Sequence, residues 1–107
     1  MATTINLDEL TDGGRVHNLS GRPLGERSRE WANIEGLDVT QGPVEVRIPD
    51  HVYSVSPSFF LGMFGKSVVR CNGAEPFFEK YRFDGPGHVL TQIHQAAGRA
   101  LLELPAD

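Results

Sequence analysis

A chain of 107 residues can enclose one hydrophobic core but not two. Its apolar and charged fractions, 39% and 22%, exclude disorder throughout, while 12 Gly and 7 Pro imply short elements joined by many turns. The net charge of −4 excludes a general attraction to phosphate backbones, and the single cysteine, Cys71, excludes an internal disulfide framework.

Taken in chain order, Thr3 to Leu7 alternate as a short strand, and Gly14 to Leu19 offer Val16 and Leu19 for a second. Asp12-Gly13-Gly14 reads as the turn between them, because glycine takes positive φ without steric cost. After Ser20, the residues Leu24, Ser28, Trp31 and Ile34 recur at helical spacing among Arg22, Glu26, Arg27, Arg29 and Glu30, which predicts a surface helix with one buried stripe. Arg22 and Glu26, four apart, are placed to pair.

The clearest strand is Pro43-Val44-Glu45-Val46-Arg47-Ile48, whose valines and isoleucine share one face. Ser56-Pro57 then opens a helix that runs to about Arg70: the serine caps an orphaned amide, and proline is favoured in the first turn because it has no N–H to satisfy. Phe59, Phe60, Leu61, Met63, Phe64, Val68 and Val69 make this helix apolar nearly all round, so it belongs inside the core. Gly62 and Gly65 cost about 1 kcal/mol each in propensity, which implies a close backbone approach by a neighbour. Asn72-Gly73 stops the helix.

Pro76 to Phe83 predicts a short apolar helical turn or loop followed by a strand at Lys80 to Asp84. After Gly85-Pro86-Gly87, a final helix from about His88 to Leu102 is predicted with a stripe of Leu90, Ile93, Ala97, Leu101 and Leu104, ended by Pro105. Strands alternating with helices define an α/β layer structure with at least one parallel crossover. The N-terminus has no basic start followed by an apolar run, and the longest apolar stretch, Phe59 to Phe64, is far below the roughly 20 residues of a membrane span. A cytoplasmic protein is expected.

Motifs for chemistry are sparse. Gly65-Lys66-Ser67 matches the end of a phosphate-binding loop, but the position needing the loop's first glycine is Phe60, inside the apolar run. The four histidines, His17, His51, His88 and His94, contain no i, i+4 pair, and one cysteine cannot build a thiolate site, so no metal is expected. Cys71 lies at a helix C-terminus, where the dipole opposes a thiolate, and reads as a small core residue. No spacing among Glu45, Asp50 and Asp84 singles out an acid–base pair. Ser54-Val55-Ser56-Pro57-Ser58 places three hydroxyls at a helix N-terminus, where unpaired amides and the macrodipole favour an anion.

The element order, with Gly21-Arg22-Pro23-Leu24-Gly25-Glu26-Arg27, then Val44-Glu45-Val46-Arg47-Ile48, then Ser56-Pro57-Ser58-Phe59-Phe60-Leu61-Gly62-Met63-Phe64-Gly65, resembles the STAS-like domain family of prokaryotes. The likeness is strongest over residues 14–103 of a single domain spanning 1–107. It implies a small α/β domain with a mixed four-stranded sheet and about three helices packed on it. Domains of this kind are similar to anti-sigma-factor antagonists, which are non-enzymatic and bind ATP-binding regulatory kinases. The resemblance therefore implies a non-catalytic regulatory module without cofactor, with an ATP-binding partner of the histidine-kinase type.

The antagonists carry Asp-Ser-Ser-Gly at their phosphorylated switch, whereas this chain reads Ser56-Pro57-Ser58-Phe59, with Pro57 at the phosphoacceptor position. The switch is not carried over, and Ser58 is the nearest remaining hydroxyl. Candidate contact residues are Ser54, Ser56, Ser58, Phe59 and Arg22, in a protein expected to be a monomer or homodimer that binds neither nucleic acid nor membrane. Arg15, Arg22, Arg27 and Arg29 are the faint basic patch that nucleic-acid binding would need. The alternative function is a small-anion or nucleotide-binding protein that uses the serine-rich helix start or Gly85-Pro86-Gly87-His88.

Overall fold

The computed structural model describes residues 3–103. Alternating segments become strands and apolar stripes become helices: β1 (Thr3–Asn6), a 3-10 turn (Leu7–Leu10), β2 (Asn18–Leu19), α1 (Arg22–Trp31), α2 (Ile34–Asp38), β3 (Val44–Arg47), β4 (Ser54–Val55), α3 (Pro57–Arg70), α4 (Ala74–Lys80), β5 (Tyr81–Asp84) and α5 (Gly87–Glu103). The α/β class stands, but the sheet differs from the single mixed one expected. The described residues form a three-stranded sheet in the order β1-β3-β5 and a separate two-stranded sheet, β2-β4, with every pair parallel, and they form five α-helices.

The first departure arises at the end of β1. The Asn6 side chain accepts a hydrogen bond from the Asp8 N–H at 3.0 Å and caps the 3-10 turn, so the chain leaves the sheet before Asp12-Gly13-Gly14 bends it at φ of 51°, 68° and 90°. No hairpin forms; β2 pairs with β4 instead. The extra helices come from two breaks. Asn33 adopts the left-handed conformation, which ends the α1 stripe and hands Ile34 to α2, while Gly73 at φ 143° separates α3 from α4.

Strand, short strand, long helix and short helix occur in that order twice, and β5 and α5 complete the chain. Because β1 pairs parallel with β3 and β2 with β4, the two long helices that follow, α1 and α3, run side by side in the same direction. Their backbones nearly touch: a Cβ added at Gly62 would lie 2.5 Å from the Arg22 carbonyl oxygen, and one added at Gly25 would lie 2.2 Å from that of Phe59. This is the close approach that Gly62 implied.

Helix α3 spans the expected residues and buries Phe59, Phe60, Leu61, Met63, Phe64 and Val68, each contributing about 1.5–3 kcal/mol of burial. Phe64 and Phe77 meet Tyr81 and one another at ring separations of 5.0 to 5.8 Å, which welds α3 to α4 and β5. The last helix is rotated from its expected stripe: Val89, Ile93, Ala96, Ala97 and Ala100 are buried, Leu101 is half exposed, and Leu104 and Pro105 lie outside the described residues. Alanines win the inner face because α5 packs closely on α3. No helix among the described residues is long and apolar enough to cross a membrane.

Candidate functional site

The N-terminus of α3 is built as its sequence requires. The Ser56 hydroxyl accepts from the Phe59 N–H at 3.1 Å and also from the Gly21 N–H at 3.3 Å, so one side chain caps α3 and ties it to the start of α1. Ser56 is thereby occupied structurally. Phe59 is 1% exposed and belongs to the core, which corrects its placement among contact residues.

Ser58 is exposed on the first turn, and Ser54 donates to the Asn18 Oδ1 at 2.5 Å across the β2-β4 pair. Beside them opens a recess of about 440 Å³ lined by Ser54, Ser56, Pro57, Gln92, Gln95 and Arg99, among others. Helix α5 supplies its far wall, where Gln92 Oε1 accepts from the Val55 N–H at 2.9 Å. The α5 residues were missed by sequence reading, because nothing in their spacing shows which side of α5 faces β4.

Arg22 stands at the other flank of the same junction. It lines a groove of about 740 Å³ between α1 and α3, with Glu26, Arg27, Glu30 and Lys66 among its neighbours. The expected Arg22–Glu26 ion pair is not formed. The basic patch is also broken, since Arg29 is buried and paired with Glu35 and Asp38.

Those partners form the densest polar cluster of the fold. Arg29 donates to Glu35, to Asp38 Oδ2 at 3.0 Å, to the Met63 carbonyl at 2.8 Å and to Ser67 Oγ at 3.0 Å. Asp38, with a side chain only 4% exposed, also accepts from Ser67 at 2.8 Å, Arg70 at 3.0 Å and the Tyr81 hydroxyl at 2.5 Å. Burial and the Asp38 carboxylate hold the Tyr81 phenol well above its ordinary range, so it remains a donor. Among the described residues no buried side-chain polar atom lacks a partner. Each group is spent on another, which suits a clamp joining α1, α2, α3 and β5 rather than a reactive centre.

Ser67 thus lies inside this clamp within a continuous helix, so Gly65-Lys66-Ser67 forms no phosphate loop. Cys71 is half buried, and burial pushes its thiol up, as expected of a packing residue. His17 donates to the His51 carbonyl at 2.7 Å and His88 to the Tyr53 carbonyl at 2.7 Å, securing the β3–β4 connection. Among the described residues no group of His, Cys, Asp and Glu is arranged to hold a metal.

Glu35 carries a pH signature. Hydrogen bonds from Arg70 and then Arg29 hold its carboxyl below the ordinary 4.5. A depressed carboxylate pKa stabilises the fold above the unfolded value, and that contribution is lost as pH falls through the folded value. Urea midpoints should fall as pH drops below about 4.5. In Glu35→Gln the decline should be shallower, and identical pH slopes would rule this source out.

A small parallel α/β domain, with its described helices on one face of the three-stranded sheet and a hydroxyl-rich helix start beside a shallow recess, is the class that fold and site define. No family model, curated protein or solved structure matches the chain.

Proposed function

We propose that this chain is a non-catalytic, STAS-like regulatory module that recognises a protein partner at the junction of the α3 N-terminus with β4 and α5, the partner being an ATP-binding protein of the histidine-kinase type. Support comes from the exposed Ser58 and the nearby recess of about 440 Å³, which mixes apolar surface with Ser54, Gln92, Gln95 and Arg99, while the buried side-chain polar groups of the described residues are saturated internally. Ser54, Ser58 and Arg22 remain the contact residues of this reading. Ser56 contributes by fixing the helix start.

An anion or nucleotide at the same place is the weaker reading. Pro57 has no N–H, the Phe59 amide is taken by the Ser56 hydroxyl, and the Phe60 amide bonds the Ser56 carbonyl at 3.1 Å. In this first turn only the Ser58 amide has no protein acceptor, too few donors for a phosphate cradle. The Gly87 helix start offers little more, since Val89 and Leu90 donate to the Pro86 carbonyl.

Affinity capture with the full chain should recover such an ATP-binding protein, and Ser58→Asp should weaken that capture at least tenfold by placing a charge in the contact. Capture unaffected by Ser58→Asp would remove this surface from consideration. A thermal-shift screen against nucleotides and phosphorylated metabolites separates the two readings: a ligand at 100 times its Kd adds about 2.7 kcal/mol.

A further inference from the structure

All-parallel sheets are as a rule covered on both faces, since crossover helices pack on either side. Among the described residues, the β1-β3-β5 sheet is covered on one. Ile5, Val44, Val46 and Tyr81 point inward and are buried, while Thr4, Asn6, Glu45, Arg47, Arg82 and Asp84 alternate with them and point outward. The register sets these six residues in two rows: Thr4, Glu45 and Arg82 in one, Asn6, Arg47 and Asp84 in the next.

The charges form a checkerboard that the chain itself leaves largely unmatched. Arg47 and Glu45 approach only to 4.0 Å, with side chains 61% and 46% exposed. Arg82 makes a long 3.4 Å bond to the Glu79 carbonyl, and among the described residues the Asp84 carboxylate has no ion pair. Such charges in water gain little from one another.

We propose that this face is a self-association surface on which two copies of the chain stack about a two-fold axis running across the strands, midway between the two rows. That rotation exchanges the rows and keeps each strand opposite its own counterpart. Glu45 then faces the second copy's Arg47, Arg82 faces its Asp84, and Thr4 faces its Asn6, with each pairing made twice as an isologous contact requires. A two-fold axis along β3 would instead set Glu45 against Glu45 and Arg47 against Arg47. Charge complementarity therefore selects one geometry, with antiparallel strand directions across the interface, within the range of aligned sheet packing.

Six outward residues are few beside the roughly 20–30 a side of a stable interface, so the dimer is weak and sensitive to salt. Sedimentation equilibrium of the full chain at low ionic strength should show a dimer with Kd on the order of 0.1–1 mM, weakened about tenfold or more in 0.5 M salt. Arg47→Glu sets carboxylates against carboxylates and should abolish the dimer, whereas Glu45→Arg combined with Arg47→Glu reverses the column, restores every facing pair and should restore association. If Arg47→Glu fails to fold, Asp84→Arg carries the same test on β5. A purified chain that stays monomeric at millimolar concentration and low salt, a dimer that survives Arg47→Glu, or a folded double swap that remains monomeric would each overturn the proposal.

Discussion

Replacing Asp38 with alanine should cost about 3–5 kcal/mol, a large part of the roughly 5–15 kcal/mol by which a small domain is stable. The carboxylate is the hub on which Arg29, Ser67, Arg70 and Tyr81 converge. Its removal leaves the Arg29 guanidinium, its own side chain 8% exposed, without its buried counter-charge, and leaves the Tyr81 and Ser67 hydroxyls without an acceptor. Arg29 then keeps only the half-exposed Glu35 as counter-charge, and stripping a buried guanidinium of its buried partner is costly, whereas the original pair gains only modestly over an apolar replacement. Glu35→Ala provides the contrast: its side chain is 54% exposed, water can replace it around Arg70, and about 1 kcal/mol or less is expected. Urea denaturation of the two variants measures both values, and a loss below about 1 kcal/mol for Asp38→Ala would show that the cluster is not a clamp.

Of the elements of this clamp, α1, α3 and β5 were legible in the sequence, but α2, which carries Asp38, was not, nor was their meeting. Helix α3 was readable to its ends because a capping serine, a first-turn proline, an apolar run and a closing Asn-Gly all agree. The strand at Val44–Arg47 was readable because period-two alternation admits little else. Arg29, by contrast, looks in sequence like one more charge on an exposed helix. Its burial depends on Gly25 and Ser28 beside it, which make that face of α1 the inner one, and on Asp38, nine residues away in a helix that exists only because Asn33 breaks the first. Trp31 is 44% exposed for the same reason: the face chosen by large apolar residues was not the face chosen by close packing.

The candidate site divides similarly. Ser56 as a cap follows from local chemistry, and the structure adds only its second bond, to Gly21. Phe59, read both in the apolar run of α3 and among the contact residues, is buried as the apolar run predicts. The recess wall of Gln92, Gln95 and Arg99 depends on how α5 is rotated, and the leucines pointed to a different stripe from the alanines that are buried. Small side chains carry little hydrophobic signal in sequence, yet they decide which helix faces can meet.

That principle gives the second large effect, in which one substitution changes sign between two helices. Gly25→Ala should destabilise the domain by about 2 kcal/mol or more, although alanine is the better helix former by about 1 kcal/mol. The added Cβ would lie 2.2 Å from the Phe59 carbonyl oxygen and 2.9 Å from the Met63 nitrogen, both main-chain atoms of α3, so only separation of the helices relieves the clash. Gly98→Ala, in α5, meets nothing within 4 Å and should raise stability by about 0.5–1 kcal/mol. The separation also reaches the clamp, because Arg29 donates to Met63 and Ser67 across the same α1–α3 contact. Gly25→Ala with Asp38→Ala should therefore cost less than the two alone combined, by about 1 kcal/mol or more, since each disrupts the seating of the same guanidinium. Strict additivity in that cycle would mean that the glycine contact and the ion cluster hold α1 to α3 independently.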